Sequence, residues 1–258
     1  MKKRVFVTFA CMILCFCFML GVCAKGTPCD HWFIRHNGDG TAPQIDTAFS
    51  YLDRYSAYYM DKAANEQGEK VLYLTFDAGY ENGNIAKILD VLKEEEVPGA
   101  FFILGNLVWK NKDLLVRMKE EGHLVCNHTS RHGDMSRADR ATFEREIREL
   151  EEQYREAMGC DLDPFYRPPE GKFVEDNVKW AEELGYTTVL WSFAYPDWDN
   201  GRQPRTDWAK EKILSNTHPG EILLLHPTSQ TNASIMKELI VTWKQMGYRF
   251  ASLDNLTK

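Results

Sequence analysis

The amino-acid sequence predicts an α/β fold in which about seven β/α units form a distorted barrel of parallel strands, preceded by a short N-terminal extension. Three observations support this prediction. Apolar strand segments alternate with amphipathic helical segments from Lys70 onward, no long linker interrupts residues 25–258, and reactive side chains follow the carboxyl ends of five strands. Such alternation is typical of a parallel sheet with crossover helices. The length of 258 residues fits one large α/β domain or two small ones.

The predicted strands are short apolar runs, as expected of strands that are buried on both faces. In chain order they are VLYLTFD (71–77), GAFFIL (99–104), LVCNH (124–128), FYR (165–167), TTVLWSFA (187–194), EILLLHP (221–227) and YRFASL (248–253).

Between the strands, apolar residues recur at helical spacing. The first helix carries Ile85, Ile88, Leu89 and Leu92 on one face. The longest helix is predicted to begin at Ser136, where Asp139 resembles the acid of a capping box, and to end at Gly159. Further helices are predicted around 114–122, 178–184, 206–217 and 235–243.

The position of the reactive residues favours a closed barrel over an open sheet. An open sheet gathers ligands where its strand order reverses, whereas in a barrel the carboxyl ends of all strands face one site. Here five of the seven strands end in, or are followed by, a reactive side chain. These residues are Asp77, His128 with His132 just after it, Arg167, Asp197 and His226.

The charges and cysteines divide the chain in two. The chain has 31 basic and 38 acidic residues, a net charge of −7, and the first 24 residues hold three of the bases and no acid. The rest therefore has a net charge of −10, which excludes nucleic acid as the main partner because phosphate binding needs clustered cations. Four of the seven cysteines also lie in the first 24 residues, so the body is not a disulfide scaffold.

Residues 1–24 are predicted to be a secretory signal, with a basic start, an apolar run and cleavage after Ala24. The alternative is an uncleaved anchor, since residues 5–24 are uncharged and long enough to span a bilayer. Lipid modification of Cys23 is disfavoured because Val22 is bulky. Each interpretation places the body outside the cytoplasmic membrane, in contact with the membrane only through this segment. We divide the body into an extension over 25–69 and a catalytic domain over 70–256.

Each reactive residue also has an ordinary structural interpretation. Asp77 could cap the following helix, Arg167 could be a surface charge, and His226 could be a hydrogen-bonded core histidine. A His-x-x-x-His pair in a loop, such as His128 and His132, is more often structural than metal-binding. These interpretations do not explain why all of the residues fall on one edge of the predicted sheet.

Five motifs, in order and spacing, carry a resemblance to a known family. They are TFDAGYENG (75–83), HTSRH (128–132), RPPEG (167–171), DW (197–198) and LLH (224–226). They resemble the polysaccharide deacetylases, carbohydrate esterase family 4, whose NodB-like domain is a distorted (β/α) barrel. A narrower likeness, from about Trp32 to Leu256, is to the muramic acid de-N-acetylases that prepare the δ-lactam of spore cortex peptidoglycan.

The resemblance implies a hydrolase that removes acetyl groups from a glycan. It assigns Asp77 as the general base and Arg167 as the cation that keeps this carboxylate ionised and oriented. It assigns His226 as the general acid, with Asp197 holding its imidazole. The backbone N–H of Glu170 is implied as an oxyanion donor.

The remaining residues implied by the resemblance contact the substrate or a metal. Leu224 would line the acetyl-methyl pocket, and Trp198 and Tyr80 would form the glycan groove. His128 and His132 would bind a divalent metal, zinc or similar. Most of the family has a second Asp after the base as a third ligand, and here that position is Ala78. The muramic-type relatives also lack this Asp, so Ala78 favours the narrower likeness and leaves a metal with only two histidine ligands.

The expected partner is the glycan strand of peptidoglycan, and the protein is expected to be a monomer. Alternative activities are deacetylation of N-acetylglucosamine in peptidoglycan or chitin, or of O-acetyl xylan. A different alternative is a non-catalytic glycan-binding module. A peptidase is disfavoured because the sequence has no His-Glu-x-x-His pattern.

Overall fold

The computed structural model describes residues 31–256, and within them eight strands form one parallel sheet. The strands are β1 (Ala57–Tyr58), β2 (Val71–Ala78), β3 (Gly99–Ile103), β4 (Leu124–Asn127), β5 (Asp163–Tyr166), β6 (Thr187–Val189), β7 (Glu221–Leu225) and β8 (Arg249–Phe250). Their order is β1-β6-β5-β4-β3-β2-β7, and β8 pairs with the start of β2 on the edge opposite β7.

The sheet closes into a distorted barrel because the chain after β6 bends across to β7. Phe193 forms a parallel bridge with Leu223, and the N–H of Leu224 donates to the carbonyl of Phe193 at 2.8 Å. The strand predicted over 187–194 is therefore regular only in its first three residues. The barrel of about seven units that the sequence predicts is confirmed, and its distortion lies at this bend.

Eight α-helices accompany the strands within residues 31–256. They are α1 (Lys62–Gln67), α2 (Ile85–Glu94), α3 (Gly105–Lys110), α4 (Lys112–Glu120), α5 (Arg140–Met158), α6 (Glu175–Glu183), α7 (Thr206–Leu214) and α8 (Gln230–Gln245). None of them is long and apolar enough to cross a membrane. The predicted signal over 1–24 lies outside the described residues.

Alternation along β2 explains how the barrel is built. Leu72, Leu74 and Phe76 belong to the large apolar cluster that β2 forms with the helices, so they point outward. The intervening side chains point to the barrel interior, because successive side chains of a strand face opposite sides. Tyr73 belongs to the inner cluster, and the same alternation directs Thr75 and Asp77 inward. A buried free thiol, Cys126 of β4, also packs in the inner cluster.

The longest helix begins later than the sequence analysis predicts. Asp139 is itself the N-cap of α5, where its carboxylate accepts from the N–H of Thr142 at 2.8 Å. Ser136 belongs to a separate 3-10 turn, Met135–Arg137, which Asp134 caps. The prediction was wrong because two capping acids lie five residues apart, and each one starts its own helical segment. The short helix α3 was not predicted at all.

The N-terminal extension contributes to the sheet itself. It forms a 3-10 helix (Thr47–Arg54), then β1, which pairs in parallel with β6. Its aromatic side chains, led by Trp32 and Phe49, are buried in a cluster with Phe173 of the barrel. The extension is therefore joined to the barrel through both a strand and a shared apolar core.

A neighbouring pair of residues on α8 tests this packing. Ile240 is fully buried against the barrel, whereas Val241 is 36% exposed. We expect Ile240→Ala to lower the free energy of unfolding by about 2–5 kcal/mol, because it leaves a cavity in the outer core. The matched control Val241→Ala should change it by less than about 0.5 kcal/mol. Urea denaturation measures both, and equal effects would contradict the packing described.

Candidate active site

The site lies where the strands of the barrel end, and its centre is a buried guanidinium. Arg167 directly follows β5, and its side chain is 0% exposed. Its Nη1 donates to Oδ1 of Asp77 at 2.8 Å, and its Nη2 donates to Oγ1 of Thr75 at 2.8 Å. Its Nε donates to the carbonyl of Val189 at 3.0 Å, and Nη2 also reaches that of Leu190 at 3.2 Å. A buried charge is tolerated only when it is paired and hydrogen-bonded in this way.

An aromatic face completes the surroundings of Arg167. The guanidinium carbon lies 4.1 Å from the centre of the Phe102 ring, a cation–π contact. The Phe102 ring restricts the plane of the guanidinium, and hydrogen bonds engage Nε, Nη1 and Nη2. The guanidinium therefore has one orientation. It therefore presents Nη1 to Asp77 at a fixed position.

Asp77 is an ionised carboxylate in this setting. Burial alone would raise its pKa, but the positive charges that face it, on His128 when that ring is protonated, on the guanidinium of Arg167 and on protonated His226, together lower it below its ordinary value. The carboxylate thus keeps its charge at neutral pH and can accept a proton. The alternative that Asp77 caps the next helix is wrong, because Asn84 occupies the N-cap position of α2.

His128 is held as a neutral imidazole. Its Nδ1 lies 2.8 Å from the carbonyl oxygen of Arg167, so Nδ1 must carry the hydrogen and donate it. Burial lowers the pKa of His128 to about 4. The unprotonated Nε2 therefore faces Oδ2 of Asp77 at 3.4 Å. Two lone pairs facing each other at this distance favour a cation near both atoms.

A tight turn brings the second histidine beside the first. Thr129 and His132 both adopt positive φ angles, 70° and 60°. The hydroxyl of Thr129 accepts from the N–H of His132 at 3.0 Å, which stabilises the turn. The ring centres of His128 and His132 are 5.1 Å apart, and His132 is exposed at the mouth of the site.

These observations bear on whether the residues fit a metal ion. A neutral imidazole whose Nδ1–H is bound to a carbonyl has the arrangement typical of a histidine ligand. His128 thus fits as a nitrogen ligand, and the ring of His132, whose centre is 5.1 Å away, is the second candidate. Ala78, the last residue of β2, is fully buried and has no ligating atom. Across residues 31–256, no cluster of three or more His, Cys, Asp or Glu side chains is arranged to hold a metal ion.

The second charged pair lies just after β7 and in the loop after β6. Asp197 is 1% exposed, and its Oδ1 accepts from Nδ1 of His226 at 2.7 Å. Its Oδ2 accepts from the backbone N–H of His226 at 2.8 Å. The imidazole is thereby fixed with its other nitrogen, Nε2, free to meet a substrate. Burial lowers the pKa of His226, but the charge and hydrogen bond of Asp197 outweigh burial, so the pKa lies above its ordinary value.

A residue that the sequence analysis missed supports this pair. Asn232, fully buried on α8, donates to Oδ2 of Asp197 at 2.6 Å and to the carbonyl of His226 at 3.1 Å. The hydroxyl of Tyr195 donates in turn to Oδ1 of Asn232. Only the run LLLHPTSQTNA, which places an amide one turn into a helix after the histidine, could have indicated this role.

The other predicted residues surround these two pairs. Leu224 is buried on the inner face of β7, Trp198 is 59% exposed with its ring centre 6.1 Å from that of His226, and Tyr80 is 45% exposed. The amide of Asn200 donates to the hydroxyl of Tyr80, so the loops after β2 and β6 meet at the rim. The side chain of Glu170 pairs with Lys172 at 2.6 Å and does not enter the site.

The backbone of Glu170 has a special conformation. Its φ angle is 56°, in the left-handed region, and the N–H of Glu170 has no acceptor in the described part of the chain. Left-handed geometry at a non-glycine residue costs about 1–3 kcal/mol and is found mostly at functional sites. The arrangement leaves this N–H available as a donor among the described residues.

Comparisons with known proteins agree with this geometry. The family model described as polysaccharide deacetylase matches residues 64–189. The peptidoglycan-N-acetylmuramic acid deacetylase PdaA of Bacillus subtilis is 36% identical over 223 residues, which cover 86% of this chain and 82% of that protein. A peptidoglycan-N-acetylglucosamine deacetylase of Bacillus cereus is 31% identical over 214 residues, covering 81% of this chain and 75% of that protein.

A solved structure gives the same result. The structure of Bacillus subtilis PdaA, described as a family 4 carbohydrate esterase, matches with a TM-score of 0.82 and 36% identity, over 88% of this chain and 95% of that chain. The chain therefore belongs to the polysaccharide deacetylase family, carbohydrate esterase family 4, and is a hydrolase of the kind that acts on the amide bond of N-acetyl groups.

Proposed function

We propose that the protein deacetylates N-acetylmuramic acid in peptidoglycan, as a step towards the muramic δ-lactam of spore cortex. The observation that carries the proposal is the extent of the match to the Bacillus subtilis muramic acid deacetylase, which covers 86% of this chain. The matched family model spans only residues 64–189. The likeness to that enzyme therefore includes regions of this chain outside the common domain.

The chemistry follows from the two charged pairs. Asp77 takes a proton from water as the water oxygen bonds to the acetyl carbon, and Arg167 keeps the carboxylate ionised and aimed. The N–H of Glu170 donates to the oxygen that becomes negative. His226, protonated and held by Asp197, gives its proton to the amine nitrogen as the carbon–nitrogen bond breaks. The products are acetate and a free amine on the sugar.

His128 and His132 are proposed to hold a divalent cation, zinc or similar. When bound, such a cation polarises the acetyl oxygen and acidifies water as a Lewis acid. Water or substrate would complete its coordination, since Ala78 offers no ligand.

The glycan would be bound by stacking and hydrogen bonds and not by bulk positive charge. Trp198 and Tyr80 present exposed rings on two loops that meet at the rim, and Leu224 offers a small apolar surface for the acetyl methyl group. We further propose that the enzyme acts as a monomer outside the cytoplasmic membrane, where peptidoglycan lies.

The proposal is tested by the mass of muropeptides digested with and without the enzyme. Loss of acetyl from muramic residues is the expected result. Loss of acetyl from glucosamine residues would support the second candidate, which the match to the Bacillus cereus enzyme favours. Glycan binding without acetate release, with any divalent metal, would instead indicate a non-catalytic glycan-binding module.

The pH dependence of the reaction tests the role of His226. Because Asp197 raises the pKa of His226, the acid form persists to higher pH, and kcat should fall as pH rises through this raised pKa. Asp197→Asn removes the charge and should move the falling limb to lower pH. His226→Gln should lower kcat by about 10²–10⁴-fold. Full kcat in the His226→Gln variant would exclude it as the general acid.

Asn232→Ala tests the support of the acid pair. Without the amide, Asp197 and the carbonyl of His226 each lose a hydrogen bond, and the imidazole is less well placed. We expect kcat to fall by about tenfold or more, since a misplacement of about 1 Å can cost about 10²-fold. Ser234→Ala is the control, because this hydroxyl on the same helix bonds only to the carbonyl of Thr231. Equal rates for both variants would contradict the supporting role.

Metal titration tests the histidine pair separately. Calorimetry with zinc chloride should show one binding event in the native chain and none in His128→Ala, because each histidine supplies a necessary ligand. His132→Ala should weaken the binding to a similar degree. Unchanged binding in both variants would place the metal elsewhere.

A further inference from the structure

The N-terminal extension reaches the loop that carries the proposed oxyanion donor. The N–H of Trp32 donates to the carbonyl of Gly171 at 2.7 Å, and His31 forms an antiparallel bridge with Lys172. These contacts lie directly after Glu170, whose N–H points to no acceptor in residues 31–256. The loop is thus bound by the extension on the side next to that donor.

The side chain of Trp32 packs beneath the same loop. It is 2% exposed, and its Nε1 donates to the carbonyl of Trp191 at 3.0 Å. A Cβ atom at Gly171 would lie 2.8 Å from Cη2 of Trp191 and 3.2 Å from Cβ of Trp32. The two tryptophans therefore form a floor on which only glycine fits at this position, where φ is 65°.

The loop needs such a floor because its backbone is strained. Glu170 and Gly171 are consecutive left-handed residues, and left-handed geometry at a non-glycine residue persists only when the surroundings enforce it. Pro168 and Pro169 restrict the chain before this turn. The chain after it is held by the bond from Trp32 to Gly171 and by the bond from the N–H of Lys172 to the carbonyl of Pro169 at 3.0 Å.

The extension also supports the other side of the site. The N–H of Thr188 donates to the carbonyl of Ser56 at 2.9 Å, and that of Leu190 donates to the carbonyl of Tyr58 at 2.7 Å. These bonds fix the end of β6, whose carbonyls accept from Arg167. The extension therefore contacts both the loop that carries Glu170 and the end of β6, whose carbonyls hold the guanidinium of Arg167.

We propose that Trp32 is a positioning residue for catalysis, holding the Glu170 N–H in place from the N-terminal extension. This inference rests on the proposed function of that N–H as an oxyanion donor. It means that a residue N-terminal to the matched family domain, residues 64–189, supports catalysis. An oxyanion donor acts on the transition state, so its loss lowers kcat more than it raises KM.

The experiment compares three variants in the full chain. Trp32→Ala removes the ring and loosens the loop, and it should lower kcat by about 10–100-fold with KM nearly unchanged. Both variants keep the backbone N–H of residue 32, but Trp32→Phe also keeps an aromatic ring beneath the loop and should recover most of kcat. Ile240→Ala, which removes a buried side chain far from the loop, is the matched control for lost stability and should retain kcat. Rates are measured as acetate release from peptidoglycan glycan strands, at a temperature where all variants are folded.

Hydrogen exchange of the segment 168–173, followed by mass spectrometry, gives a second readout that needs no turnover. Exchange should be faster in Trp32→Ala than in the native chain and unchanged in Ile240→Ala. Native kcat or native exchange in folded Trp32→Ala would overturn the proposal, as would an equal loss of kcat in Ile240→Ala. If the native chain releases no acetate, the proposed function fails. Hydrogen exchange of the segment 168–173 still decides whether Trp32 holds the loop.

Discussion

The buried ion pair between Arg167 and Asp77 is the interaction on which the rest of the structure depends. Removing a guanidinium from water costs several kcal/mol, and the cost is offset only when its donors find acceptors. Here the acceptors come from Asp77 and Thr75 of β2 and from two carbonyls at the end of β6. The carboxyl ends of β2, β5 and β6 must therefore lie at the same level of the barrel, so that the groups on them can reach the side chain of Arg167.

This requirement explains the distortion of the barrel. The carbonyls of Val189 and Leu190 can face Arg167 because the chain leaves the regular ladder after Val189 and bends across to β7. The same bend leads to Asp197, which holds His226 just after β7. This one irregular segment thus supplies two carbonyls that accept hydrogen bonds from Arg167. It also supplies Asp197, the carboxylate that orients His226. The pKa of Asp77 is lowered and that of His226 is raised, so both charged forms are present together near neutral pH.

Much of this could be predicted from the sequence, and the failures have physical causes. Apolar runs predict the strands, and apolar residues at helical spacing predict most helices, because both patterns show which side chains are buried in the core. The motif order places the charged residues at one edge of the barrel. The bend after Val189 could not be predicted, since the run TTVLWSFA stays apolar beyond it. Asn232 and Trp32 were missed because their roles depend on contacts with residues 35 and 139 positions away, Asp197 and Gly171.

The measurement that tests the account most directly is acetate release by Asp77→Asn. Asparagine keeps the shape of the side chain and an oxygen that can accept from Arg167, but it cannot take a proton from water. If Asp77 is the base, the variant is a folded protein that still binds glycan strands and whose kcat is lower by about 10²–10⁴-fold. A folded Asp77→Asn variant with near-native kcat would contradict the claim that an ionised Asp77, held by Arg167, is the base.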